Sequence, residues 1–173
     1  MDRCLFGDLH YKMNIEQKLN KEINTLFKSS AVSKKNNGGK KNVTYGEFLS
    51  NKMLMIDLIN VGIPYSLFDL IQSVSPFSEG DWAALLDISL KSLQRYKQGE
   101  KTFRPLQSEK IVEVAEVTRE GLEFFGDPEK FRRWLNTPSL ALGMAKPIDL
   151  LKSSYGKELV LGQLVRMEHG IFV

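Results

Sequence analysis

The sequence predicts an all-α fold, a helix-turn-helix bundle with a small helical module behind it. Three observations predict this. Apolar residues recur every three or four positions along most of the chain. Helix start and stop signals follow one another closely between Thr44 and Gly170. No stretch alternates apolar and polar residues with period two or carries hairpin turn chemistry.

The elements follow in order. Ile15, Leu19, Ile23, Leu26 and Phe27 stand at helical spacing, so residues 14–27 read as a helix. The next stretch, SSAVSKKNNGGKKN, is polar, glycine-bearing and basic, as a linker is. Its glycines lack the GK[ST] ending of a phosphate-cradling loop. Residues 1–43 are therefore set apart as an N-terminal arm and flexible basic linker. A helical domain is expected over 44–126. Thr44-x-x-Glu47 has capping-box spacing and opens a run through Phe48, Met53, Met55, Ile56 and Ile59 that Gly62 stops. Pro64 suits a first helical position, and Leu67, Leu70, Ile71 and Val74 form one face behind it. Ser78-x-x-Asp81 caps the next helix, and Gln107 to Phe125 carries a stripe of Ile111, Val114, Ala115, Thr118, Leu122 and Phe125. Gly126, Asp127 and Pro128 then give a terminating glycine, an N-cap and a first-turn proline in succession. The last module is placed at 127–173.

Composition removes several function classes. With 42% hydrophobic and 26% charged residues the chain is ordinary for a globular protein. No window nears the roughly 18 apolar residues of a membrane helix, so no membrane role is expected. One cysteine excludes an internal disulfide, and MDRCLFGDLHYKM has no secretory leader pattern, so a reducing cytoplasm is the expected location. The only histidines are His10 and His169, and no Cys/His cluster has ligand spacing, so neither metal nor cofactor is expected. No nucleophile–base arrangement is recognisable either, which leaves no catalytic residue to name and reads against an enzyme. The net charge of +3 is unevenly spread. Lys91, Arg95, Lys97, Lys101 and Arg104 face only Glu100 as an acid between them, inside an otherwise acidic stretch.

That focused patch falls on a recognisable motif. Glu79 to Tyr96 fits a helix-turn-helix, with Ala83 small at the helix crossing, Ile88 in the turn, and Leu93 and Tyr96 turned to the core. Asp87 stands where the turn usually has glycine, and Asp tolerates left-handed backbone better than most residues. Ser89 can cap the second helix. Along that helix Lys91, Gln94, Arg95 and Gln98 lie at i, i+3, i+4 and i+7, opposite Leu90 and Leu93. Arg and Lys address guanine edges, Gln addresses adenine, and Lys97 and Lys101 at the rim suit phosphate. With Ser89 and Ser92 at the helix start, the candidate DNA-binding set is Ser89, Lys91, Ser92, Gln94, Arg95, Lys97, Gln98 and Lys101. The same face on a hairpin that meets no nucleic acid is a solvated surface, and charge alone does not separate the two. One such module reads only a half-site of double-stranded operator DNA, so a homodimer is expected.

After Pro128 come Trp134-Leu135, Pro138 with Leu140-Ala141-Leu142-Gly143, Pro147 with Leu150-Leu151, Gly156, and Glu168-His169-Gly170. Physically these are three short helices, with Phe131, Trp134 and Leu135, then Val160, Leu164 and Met167, turned inward. The order of these pieces resembles the Xre/MbcA/ParS toxin-binding domain. The helix-turn-helix upstream resembles the Xre-like half that precedes it in antitoxins of RES/Xre toxin–antitoxin systems. The likeness spans about Gly62 to Val173, with Met144 where a second glycine often follows Gly143, and with Asp87 at the turn.

The resemblance implies an antitoxin that binds a cognate RES-type toxin, one similar to ADP-ribosyltransferases that depletes NAD, and that represses its own operon. It implies that the antitoxin obstructs the toxin's pocket. Ile171, Phe172 and Val173 form an apolar end with a free carboxylate, suited either to folding back on its own core or to a partner's cationic cleft. Arg166, Glu168, His169 and Gly170 lie beside it, and with the tail they are the candidate toxin-binding residues, although His169 equally suits capping its own helix. The rival reading is a helix-turn-helix transcription regulator whose C-terminal module binds an unrelated protein or effector.

Overall fold

The computed structural model describes residues 3–29 and 42–170, with side chains from 14 onward in the first stretch and up to Lys28. Among the described residues there is no β-strand, only isolated antiparallel bridges joining Pro64 to Thr102 and Ser139 to Ala145. Ten α-helices are described: α1 (Arg3–Ser29), α2 (Tyr45–Ser50), α3 (Lys52–Val61), α4 (Tyr65–Val74), α5 (Glu79–Leu85), α6 (Leu90–Gln98), α7 (Pro105–Phe125), α8 (Pro128–Leu135), α9 (Pro147–Leu150) and α10 (Ser154–Glu168). A single 3-10 turn, Leu140–Leu142, lies between α8 and α9. The chain forms two compact units, one of Met1–Val74 with Tyr96–Ser108 and one of Ser75–Arg95 with Glu109–Val173. The units interleave along the chain.

In the first unit α1 packs on α4 and α2. Ile15, Leu19, Ile23 and Phe27, one residue per turn, are all buried, so this helix is part of a core and no free arm. Two polar residues on α1 also hold the chain where it returns. Asn24 exchanges a pair of hydrogen bonds with the Val43 backbone, each 2.8 Å, and Asn20 Oδ1 accepts from Tyr45 N at 2.6 Å. The run expected from Thr44 to Gly62 is two helices. Asn51 ends α2 in extended backbone and caps α3, its Oδ1 accepting from Met53 N and Leu54 N. The Thr44–Glu47 capping box is present. Pro64 sits one residue ahead of α4, at the bridge to Thr102. Phe68 and Tyr96 both pack against Phe103, the latter stacked at 4.3 Å.

In the second unit the expected caps recur. Ser78 and Asp81 form a capping box on α5, Asp127 Oδ1 accepts from Glu129 N at 2.8 Å ahead of Pro128, and Ser153 caps α10. Residues 111–118 of α7 are all buried, so the middle of this helix is covered on every side and not on one stripe. Its inward acids are neutralised locally: Glu116 accepts from Lys157 at 2.8 Å, and Glu113 pairs with Lys110, which also donates to Leu151 O. Leu122 and Phe125 of the expected stripe are half-buried. Phe125, Phe131 and Trp134 form an aromatic cluster, centroids 5.6 to 6.1 Å apart. Two glycines permit close helix contacts. A Cβ on Gly121 would lie 2.1 Å from the Phe131 ring, and one on Gly156 would lie 2.0 Å from Leu150 O.

Candidate functional site

Two surfaces carry the chemistry, and neither is a pocket. One cleft of about 230 Å³ is lined by Asp81, Ala84, Leu85, Asn136, Ile148 and Lys152, and a second, of about 310 Å³, by Glu129, Arg132, Arg133 and Asn136. Among the described residues no group of His, Cys, Asp or Glu could hold a metal, and no helix is long and apolar enough to cross a membrane.

The first surface is α6 and the turn before it. Ala83 is buried, Ile88 N donates to Ala83 O at 3.0 Å, and Leu93 is buried, so the two helices close as the motif requires. Asp87 has φ +52, the left-handed conformation its position demands. Along the outer face Lys91, Gln94, Arg95 and Gln98 are all exposed, as are Lys97 and Lys101. Four long hydrogen-bonding side chains therefore lie exposed on one helix face, a donor–acceptor pattern of the kind that base edges in a major groove can meet. The two serines do something else. Ser89 Oγ accepts from Ser92 N at 3.1 Å, and the two hydroxyls lie 3.0 Å apart, so their oxygens are engaged in capping α6. Leu90, expected on the inner side, is 48% exposed, whereas Leu93 one turn on is buried.

The second surface belongs to residues 121–170. Arg166, half-buried on α10, donates from Nε and Nη2 to Oε1 of the buried Gln163, at 3.1 and 2.8 Å. Gln163 is the residue sequence reading missed, since a glutamine on an apolar stripe carries no signal that it holds an arginine three residues on. Glu168, His169 and Gly170 are exposed. His169 occupies the C-cap position, its backbone N donating to Val165 O at 3.1 Å, and Gly170 follows at φ +71. Ile171, Phe172 and Val173 lie outside the described residues. The same module exposes apolar side chains: Leu140, Met144, Tyr155, Leu159 and Val165. Tyr155 and Leu159, one turn apart on α10, are 85% and 55% exposed. Large apolar side chains exposed in a small module offer area that a protein partner could bury.

Comparison with known proteins bears on both surfaces. Residues 55–116 match the family described as the Antitoxin Xre-like helix-turn-helix domain, and residues 121–170 match the Antitoxin Xre/MbcA/ParS C-terminal toxin-binding domain. A protein named Antitoxin Xre from Photorhabdus laumondii is 30% identical over 115 residues, 66% of this chain and 78% of its own. Another of that name from Yersinia enterocolitica is 28% identical over 124 residues, 71% of this chain and 84% of its own. Among solved structures, the crystal structure of the M. tuberculosis MbcT–MbcA toxin–antitoxin complex contains a similar fold, with TM-score 0.53 and 22% identity, covering 62% of this chain and 97% of that one.

Proposed function

This chain belongs to the Xre antitoxin family, and from that premise we propose that it neutralises a RES-type, NAD-depleting toxin and represses its own operon as a homodimer. It is an antitoxin with a cognate toxin partner and a C-terminal toxin-binding domain; the toxin's class, the operator and the dimer are the parts proposed. The observation that supports the reading is the chemical contrast between two exposed surfaces. One is a polar, cationic helix face on α6; the other is an apolar, protein-like surface in residues 121–170.

The toxin surface works by occupancy. Arg166, fixed by Gln163, together with Glu168, His169 and Gly170, borders the exit of the Ile171–Val173 tail. The apolar residues Ile171, Phe172 and Val173 suit a cleft built to bind the partly apolar NAD, because they bring buried area. Blocking the cleft requires no chemistry from the antitoxin. Operator binding rests on Lys91, Gln94, Arg95 and Gln98 at base edges and on Lys97 and Lys101 at phosphates. A twofold pair of such modules would read two half-sites about one helical turn apart.

The test is a chain lacking Ile171–Val173, co-expressed with the toxin encoded beside it. Toxin activity is expected to rise while retardation of the promoter fragment is unchanged. Neutralisation at the wild-type level would remove the tail from the mechanism.

A further inference from the structure

Between α8 and α9 the chain forms a small closed loop. Ser139 N donates to Ala145 O at 3.1 Å, Met144 N donates to Ser139 O at 2.8 Å, and Gly143 N donates to Leu140 O at 3.0 Å. Leu142 is buried and roots the loop, and the turn packs against α10. Two side chains go the other way: Leu140 is 78% exposed and Met144 63% exposed.

Met144 is the anomaly. Gly143 and Met144 have φ +66 and +64, successive residues in left-handed backbone. Glycine adopts that conformation freely, but a side chain there crowds the neighbouring carbonyl, so an unbranched apolar residue is disfavoured. Other exposed residues at positive φ in this chain have a local reason or a water-soluble side chain. Asp87 is of a type that tolerates the conformation, and Glu100 is charged. Met144 has neither: it fills no core, and its backbone would be more relaxed as glycine. Strain kept without an internal return is characteristic of a residue held for a partner.

We propose that Leu140 and Met144 form an apolar knob that enters a recess on the cognate toxin and helps decide which toxin this antitoxin accepts. The inference rests on the toxin-binding reading of residues 121–170, and the knob lies in the middle of that span. It adds an anchor separate from the C-terminal tail. The hydrogen-bonded loop holds the two side chains in place before binding, which lowers the ordering cost of association. Leucine contributes apolar area, and the flexible thioether of methionine adapts to an irregular pocket.

The experiment measures toxin affinity by calorimetry, and thermal stability, for the full-length wild type, Met144→Gly and Leu140→Ala. Met144→Gly relieves the backbone, so its Tm is expected to equal or exceed that of the wild type while toxin affinity falls about tenfold. Leu140→Ala is expected to weaken binding by a similar factor at unchanged Tm, and the double variant by about a hundredfold. Wild-type affinity in all three, with the wild type itself binding toxin, overturns the knob alone. A wild-type chain that fails to bind the toxin overturns the parent reading and this one with it. Variants that keep toxin affinity but lose self-association in sedimentation would show that a second copy occupies the knob, which also overturns it.

Discussion

The exposed face of α6 and the exposed surface of the module at 121–170 differ in nearly every physical respect. On α6 the outward residues are long, polar and cationic, and the two serines at its start serve the helix itself. In the module the outward residues include Leu140, Met144, Tyr155 and Leu159, and the arginine near its end is tethered to Gln163. A cationic polar face gains little from burial against protein and much from neutralising phosphates. An apolar surface gains in the opposite way. The contrast teaches that the two exposed surfaces share no side chain, so partners proposed for each would not compete for the same residues.

Substitutions can break that contrast in graded ways. The largest effect is expected from Gly156→Val. Its new side chain would collide with the Leu150 backbone, which has no rotamer to yield, so a stability loss of about 3 kcal/mol or more should appear in thermal melts, with toxin binding lost alongside. Next is Arg95→Ala, which removes one side chain proposed to read a base. Retardation of the promoter fragment should weaken by about tenfold or more, at unchanged Tm. Salt then sharpens the comparison without mutation. Between about 50 and 200 mM salt, operator affinity should fall by orders of magnitude, whereas toxin affinity should change little. The smallest effect belongs to Ser89→Ala, which removes the α6 cap and should cost about 1 kcal/mol of stability, with a DNA effect no larger than fraying of the first turn explains.

What was legible in the sequence was what local chemistry writes there. The capping boxes at Thr44 and Ser78, the Gly126-Asp127-Pro128 restart and the left-handed Asp87 each depend on residues within four positions. What was not legible depends on distant partners or on competition between signals. Asn20 and Asn24 bind backbone 25 and 19 residues away, so nothing near them in sequence shows that α1 is fastened into a core. Asn51 interrupts an apolar run whose periodicity alone reads as one helix. The buried acids of α7 hid its second face, because Glu113 and Glu116 look solvent-facing until Lys110 and Lys157 are seen to meet them. At the candidate site the exposed polar face of α6 was legible from spacing, whereas the Gln163–Arg166 tether needed the fold.

The central claim is that the two surfaces act separately, and titration of the cognate toxin into folded Arg95→Ala protein tests it most directly. The account predicts wild-type toxin affinity in a variant whose retardation of the promoter fragment is weakened by about tenfold or more. A parallel loss of toxin affinity, with the melting curve unchanged, would contradict it.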